Sequence, residues 1–304
     1  MDKVAFVFAG QGAQAPGMGK DLYENIASVR PVFDRAEALR PGTLKQCFEG
    51  PAEELTQTIN AQPCLFLTDY ACALAVREIA GRPAFCAGFS LGEVVAAAFS
   101  GLISFEEAFR LVMKRAELMQ ACAERHPGAM FAVVKLSAEK VEVLCRSLPE
   151  AYPVNYNCPG QTVVACASET AEALMAAARA DGGRAIKLAV SGAFHSPFMW
   201  EATEGMRGAL AGVSFQSPEV PLYANLTARP YAVGAEAETL ARQISSPVRW
   251  QETVERMISD GAGLFVEVGP GNTLAGLIQK IAPGAQVLSV GGLTGLDSLR
   301  GRYQ

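Results

Sequence analysis

The stretch Ala84-Phe85-Cys86-Ala87-Gly88-Phe89-Ser90-Leu91-Gly92-Glu93-Val94-Val95-Ala96-Ala97-Ala98-Phe99 contains a short apolar run, two glycines around a serine, and an alanine-rich run. It reads as a buried strand, a tight turn and a helix from Glu93 to Phe99. Gly88-Phe89-Ser90-Leu91-Gly92 fits the G-x-S-x-G nucleophile elbow. Such a turn lifts the serine oxygen out of the backbone and leaves the next amide, that of Leu91, free to hold an oxyanion. Glycines flank the serine because strand and helix approach closely there. The same five residues also suit a purely structural glycine turn, so the rest of the chain must supply partners for Ser90.

Outward from the elbow, strands alternate with helices. Val4–Ala9 is a continuous apolar run, the pattern of a strand buried on both faces. It ends in the loop Gly10-Gln11-Gly12. Helices are predicted over Gly19–Ala27, Pro31–Leu39 and Pro63–Ala80. A further helix, Phe105–Glu124, opens on a capping box of Ser104 and Glu107 and stops at His126-Pro127-Gly128. Residues 130–191 have a separate rhythm: strand Met130–Leu136, helix from Ser137 to Leu148, strands Tyr152–Cys158 and Gln161–Ala167, helix Glu169–Ala180, and strand Arg184–Ser191. This βαββαβ order is ferredoxin-like. Beyond it come a helix over Ser246–Asp260, a strand Gly263–Val268, a helix Thr273–Ile281 and a strand Val287–Val290. The expectation is an α/β chain with a mostly parallel sheet. Residues 1–127 and 192–304 form its large domain, and residues 128–191 an inserted α+β domain.

The 304 residues are half hydrophobic and 19% charged, which excludes a disordered or coiled-coil protein. The net charge is −5 and no dense Lys/Arg run occurs, so nucleic acid is not an expected partner. The most apolar window, Ala84–Ile103, carries Glu93 and three turn or elbow glycines, so it reads as core and not as a membrane span. Asp2 and Lys3 precede a short strand-like run, which is not the pattern of a signal peptide. None of the 8 cysteines forms a CxxC pair, and most lie in apolar runs. They read as reduced core residues of a cytoplasmic protein. With no such pair and only 2 histidines, no metal site is expected.

A serine nucleophile needs a base. His126 stands at a helix end, where the dipole alone accounts for it. His195, in Gly192-Ala193-Phe194-His195-Ser196-Pro197, follows a strand, and strand-end loops are where catalytic groups of α/β folds gather. His195 is therefore the expected base. No Asp or Glu is singled out as a third member, and a backbone carbonyl could orient the ring. Gly10-Gln11-Gly12 does not open a dinucleotide site, because Pro16-Gly17 would break the helix that site requires. As a glycine loop after the first strand it offers a second set of oxyanion amides. Arg115 lies on or beside the apolar stripe of its helix. It could snorkel, pair with a buried carboxylate, or grip a substrate carboxylate through two parallel hydrogen bonds.

Taken together these motifs resemble the malonyl-CoA:acyl carrier protein transacylases and the acyltransferase domains of polyketide synthases. The resemblance is carried by Phe8-Ala9-Gly10-Gln11-Gly12, Ala61-Gln62-Pro63, Gly88-Phe89-Ser90-Leu91-Gly92-Glu93, and Arg115 before Leu118-Met119-Gln120. It continues with Asn155-Tyr156-Asn157, Gly192-Ala193-Phe194-His195-Ser196-Pro197, Pro247-Val248-Arg249-Trp250 and Glu267-Val268-Gly269-Pro270-Gly271, in the family's order. It implies a hydrolase-like large domain with a ferredoxin-like insert. It also implies Ser90 as nucleophile, His195 as base, and the amides of Gln11 and Leu91 as oxyanion hole. Arg115 would bind the malonyl carboxylate and the Arg249 carbonyl would orient His195. Gln62 and Asn157 match pocket positions, and Phe194 resembles the malonyl-selective type. The family usually has His where this chain has Phe89. Ala116 stands where Gly is common, and Ala165-Cys166-Ala167 replaces Ile-Ser-Gly.

The implied reaction is ping-pong transfer of malonyl from malonyl-CoA, through a seryl ester, to the phosphopantetheine thiol of acyl carrier protein, with no cofactor, in fatty acid or polyketide synthesis. A monomer is expected on resemblance. An acyl hydrolase would share Ser90 and His195 without needing Arg115, and a non-catalytic member would bind carrier protein only. The carrier protein is expected to be acidic, as this chain is, so docking needs a local basic patch. Arg184, Lys187, Arg249 and Lys280 are the candidates.

Overall fold

The computed structural model describes residues 3–303. Its strands are Lys3–Phe8 (β1), Phe85–Gly88 (β2), Gly128–Val134 (β3), Ala151–Cys158 (β4), Gln161–Ala167 (β5), Arg184–Lys187 (β6), Leu222–Tyr223 (β7), Ala262–Val268 (β8) and Gln286–Val290 (β9). β1 lies in the middle of a five-stranded sheet of order β7-β2-β1-β8-β9, and every pairing in it is parallel. The unbroken apolar run of β1 follows from that position. Phe6 and Phe8 point into one core with the helices Thr58–Ala80, Leu91–Phe99 and Phe105–Arg125, while Ala5 and Val7 point into a second core with Trp250, Phe265 and Ile278. A strand with a core on each side has no polar face to alternate.

The second sheet is antiparallel, in the order β4-β5-β3-β6. With helices Ala138–Arg146 and Ala171–Ala180 between its strands, this is the ferredoxin-like arrangement. Those helices cover one face, over Phe131, Val133, Val164 and Cys166. Met130, Ala132, Val163 and Ala165 on the other face join the main core. All eight cysteines are buried and unpaired. Among the described residues, no helix is long and apolar enough to cross a membrane.

Several boundaries differ from those read in the sequence. The strand expected over Arg184–Ser191 ends at Lys187, because the chain bends away after Leu188 to line the cavity at Ser90. The long helix starts at Thr58, five residues before Pro63. Pro63 lacks the N–H that would bond the Ile59 carbonyl, and the Ile59 amide, an orphan of the first turn, donates instead to the Gln120 side-chain oxygen at 3.2 Å. The helix expected from Ser246 starts at Trp250. Val248 is held extended instead, between Val154 O and Tyr156 N of β4, at 2.8 and 2.9 Å. The helices Thr43–Glu49, Ala52–Thr56, Trp200–Leu210, Glu236–Gln243 and Leu293–Tyr303 were not anticipated.

The sheet places the site. β1 and β2 end level, with Phe8 paired to Gly88, so the loops at Gly10 and Ser90 leave the carboxyl ends of adjacent strands. That edge is where open α/β sheets bind ligands.

Candidate active site

Ser90 has φ 53 and ψ −106, a left-handed conformation that costs a non-glycine residue free energy. Two contacts hold it there. The Ser90 amide donates to Asn225 Oδ1 at 2.8 Å, and the Ser90 carbonyl accepts from Gln243 Nε2 at 2.6 Å. The glycines are sterically required: a Cβ on Gly88 would lie 1.8 Å from the Gly92 carbonyl carbon. One on Gly10 would lie 2.7 Å from the Phe89 carbonyl oxygen, so glycine lets the first loop close on the elbow. Gln11 and Ser90 then line the same cavity, of about 90 Å³. Leu91 is the first residue of its helix, so its amide has no partner within the helix.

Ser90 Oγ lies 2.7 Å from His195 Nε2. His195 Nδ1 lies 2.9 Å from the Gln243 carbonyl oxygen. A carbonyl can only accept, so Nδ1 carries the proton and Nε2 presents its lone pair to the serine hydroxyl. The orienting carbonyl is that of Gln243, not Arg249. The Arg249 carbonyl is occupied by Thr253, whose amide and hydroxyl donate to it at 2.9 and 2.8 Å. Burial, reinforced by the Arg115 charge, pushes His195 down to about 4. The ring is therefore neutral throughout the physiological range, with the Nε2 lone pair free to accept a proton.

Arg115 is 1% exposed and does not snorkel, and among the described residues it pairs directly with no carboxylate. Nη1 donates to Gln62 Oε1 at 2.8 Å. Nη2 donates to Gln243 Oε1 at 3.0 Å and to Ser90 Oγ at 3.1 Å, while Nε has no partner among the described residues. Burial lowers the guanidinium to about 10, which still leaves it charged at neutral pH. A desolvated cation is thus fixed beside the Ser90 hydroxyl by neutral amides. Phe194 and Gln62 line this cavity too, with Met119, Met130, Asn155 and Leu188.

Asn157 does not reach Ser90. It lines an adjoining channel of about 250 Å³ that shares Gln11, Phe89, Asn155 and Leu188 with the inner cavity. Asn155 and Asn157 both carry a buried side-chain oxygen with no partner among the described residues. Phe89 packs edge-on against Trp250, with ring centroids 5.6 Å apart, and walls both cavities. His126 lies away from the site, 3.1 Å from Glu201.

Three site residues escaped the sequence reading. Gln243 contacts Arg115, Ser90 and His195 at once. Asn225 holds the elbow from both sides, through the Ser90 amide and the Gly88 carbonyl. Glu93 lies fully buried beneath them, accepting from Asn225 N and Gln243 Nε2, both at 3.0 Å, and from the Tyr231 hydroxyl. Only Glu93 left a signal, as the one charge in an otherwise apolar helix.

Burial raises Glu93 from 4.5 to about 7. The folded state therefore holds this proton more tightly than the unfolded chain. Its stabilising contribution is complete below pH 4.5 and is lost as pH rises through about 7. That move corresponds to about 3 kcal/mol. Glu93→Gln is expected to lower absolute stability, since an amide nitrogen would face the donors around it. It should also remove this slope, which melting curves from pH 5 to 8 would show; an unchanged slope would mean that Glu93 is not the titrating group.

The chain matches the model of the acyl transferase domain over residues 5–293. It is 38% identical to the malonyl CoA-acyl carrier protein transacylase of Bacillus subtilis, over 92% of this chain and 91% of that protein. The crystal structure of the malonyl CoA-acyl carrier protein transacylase from Clostridium perfringens superposes with a TM-score of 0.95 at 32% identity, covering 99% and 96% of the two chains. A malonyl-transacylase solved in complex with its type II polyketide acyl-carrier protein superposes at 0.94 with 34% identity, covering 99% of each chain.

Proposed function

The chain belongs to the acyl transferase domain family and to its malonyl CoA-acyl carrier protein transacylases, and from that membership we propose how it moves malonyl from malonyl-CoA to the phosphopantetheine thiol of acyl carrier protein. The observation that carries the reading is Arg115 Nη2, buried, cationic and 3.1 Å from Ser90 Oγ. A hydrolase of simple acyl groups has no use for a guanidinium at that price in desolvation. An acyl group ending in a carboxylate does.

Malonyl-CoA enters with its pantetheine arm in the channel, where the side-chain oxygens of Asn155 and Asn157 accept hydrogen bonds from the arm's amides. The malonyl carboxylate pairs with Arg115, leaving the thioester carbonyl over Ser90. His195 Nε2 takes the serine proton as Oγ attacks. The amides of Gln11 and Leu91 bind the oxyanion, a contribution of roughly 3–4 kcal/mol for one donor. The tetrahedral adduct collapses, the carbon–sulfur bond breaks, and His195 returns the proton to the CoA sulfur. The carrier thiol then enters by the same channel and gives its proton to His195. Its sulfur attacks the seryl ester, and Ser90 leaves as the hydroxyl. Residues 128–191 act here as an inserted unit that roofs the cavity with Met130, Asn155 and Leu188. On this proposal the protein acts as a cytoplasmic monomer and needs no cofactor beyond these substrates.

Intact-mass analysis after mixing with malonyl-CoA tests the route. A single malonyl adduct that transfers to holo carrier protein is expected. Steady release of free malonate without an acceptor would make the protein a hydrolase. Carrier binding with no adduct would make it a non-catalytic member.

A pH profile tests the base. kcat/KM for loading reports groups of the free enzyme. With His195 held near 4, loading should stay level as pH falls through 6.5, the ordinary histidine value, and decline only toward about 4. Protonation of Glu93 below about pH 7 removes a negative charge near Arg115, which favours neutral His195 further. An acid limb near 6.5 would contradict a buried, desolvated base.

A further inference from the structure

Arg115 is a buried cation, and among the described residues no carboxylate lies against it. Desolvating a guanidinium is costly enough to call for an anion within electrostatic reach. The fully buried acids among the described residues are Asp69, Glu93 and Glu267. Glu267 is taken up by the amides of Leu274 and Ala275, at 3.0 and 2.8 Å. Asp69 packs against Gly269, and burial followed by the Glu267 charge holds its carboxyl well above the usual carboxylate range. Neither acts on Arg115, which leaves Glu93.

Glu93 reaches Arg115 through a single side chain. Gln243 Nε2 donates to Glu93 Oε2 at 3.0 Å, and Gln243 Oε1 accepts from Arg115 Nη2 at 3.0 Å. The amide therefore turns its donor to the anion and its acceptor to the cation, the one orientation that suits both. Reversed, it would set an oxygen against the Glu93 carboxylate and against the Ser90 carbonyl, which accepts from the same nitrogen at 2.6 Å.

The influence runs both ways. Burial lowers the Arg115 guanidinium, and the Glu93 charge works against that. Burial raises Glu93, and against it work the hydrogen bonds from Tyr231, Gln243 and Asn225 and then the Arg115 charge. The other titratable groups nearby stay neutral or lie outside. Burial and the Glu93 charge keep the Tyr231 hydroxyl protonated, with Glu236 beyond it, and His195 is a neutral ring at this pH.

We propose that Glu93 is the counter-ion of Arg115, joined to it through the Gln243 side-chain amide, and that its charge sets how strongly the site favours an acyl group ending in a carboxylate. The proposal rests on the transfer reading above. Malonyl brings a second anion to the same cation, and the two anions repel in a buried site. Acetyl brings no charge and meets none of this. Glu93 thus restrains the preference that Arg115 creates. Neutralising it should raise the malonyl preference, whereas a merely structural role would lower loading of both acyl groups alike.

One arm of the test needs no substrate. Melting curves from pH 6 to 9 compare wild type with Arg115→Met, which keeps an apolar stem and removes the charge. The stability contributed by Glu93 is lost as pH rises through about 7 in the wild type. Without the Arg115 charge the carboxylate is less favoured, so this loss should move up by at least about half a pH unit. Glu93→Gln should abolish it in both backgrounds. The other arm is kcat/KM for malonyl and acetyl loading at pH 8, where wild-type Glu93 is charged. In Glu93→Gln the amide oxygen can still accept from Gln243 and Asn225, with the nitrogen turned to the Tyr231 oxygen. The malonyl-to-acetyl ratio should rise about fivefold or more, the scale of two like charges roughly 15 Å apart at an effective dielectric of about 20. Tyr231→Phe, which removes one donor to the charged carboxylate, should raise the ratio by less. Both gains should shrink toward pH 6, where wild-type Glu93 is neutral. A ratio unchanged or lowered in both variants at pH 8 overturns the proposal, as does a stability loss that stays at the same pH in Arg115→Met. A wild type that loads neither acyl group, while the stability loss moves as expected, would leave Glu93 the counter-ion and refute the transfer reading and the preference with it.

Discussion

Ser90→Ala should show no malonyl adduct by intact mass and should lose transfer activity by a factor on the order of 10⁶, the scale seen when a serine–histidine unit is broken. Among the described residues, Ser90 Oγ is the only hydroxyl in contact with the ring nitrogen that the Gln243 carbonyl leaves unprotonated. The strain at φ 53 belongs to the turn and persists with alanine, so the fold should survive and the loss should be one of chemistry. His195→Ala should lose nearly as much, and the double variant no more than either alone, because the two residues act as one unit. An adduct that persists in Ser90→Ala would place the nucleophile elsewhere. A double variant with multiplied losses would show that the 2.7 Å contact is not used in the reaction.

What the sequence reading reached is what residue type controls. The unbroken run of β1 needs two covering cores, and it has them. The βαββαβ rhythm predicted the second sheet because helical and strand periodicities differ over spans that short. Gly88 and Gly92 marked the elbow because no other residue fits contacts that close. The miss at Arg249 has the opposite origin. Every residue has a carbonyl, so the one that orients His195 carries no signature of type; it depends on where the helix Glu236–Gln243 ends. Gln243 and Asn225 were missed for a related reason. They lie far from Ser90 in sequence, in segments with no motif of their own, and only the folded chain brings them to the elbow. Side chains that hold a strained turn in place are legible only once the turn is built.

Arg115→Ala should erode the preference for malonyl over acetyl. In the wild type, the malonyl carboxylate would meet a guanidinium whose Nε has no other partner and whose position is fixed by Gln62 and Gln243 at 2.8 and 3.0 Å. The desolvation of this cation has already been incurred in folding, so the substrate carboxylate meets a preorganised partner. A charged hydrogen bond of this kind is worth roughly 1.5–3 kcal/mol, or about 10- to 150-fold. The malonyl-to-acetyl ratio of kcat/KM should fall by that factor in Arg115→Ala, mostly through loss of malonyl loading. Acetyl loading has less to lose, since acetyl carries no carboxylate. Arg115→Lys should recover only part of the ratio, because an ammonium cannot reach Gln62, Gln243 and substrate with a planar fork. The alanine variant also leaves Gln62 Oε1 without its guanidinium donor, and Gln243 Oε1 likewise. Some loss of stability is therefore expected, so the ratio of the two substrates, and not either rate alone, is the quantity to measure. An unchanged ratio in a folded Arg115→Ala would remove the guanidinium from substrate recognition and leave it a purely structural part of the Gln243 network.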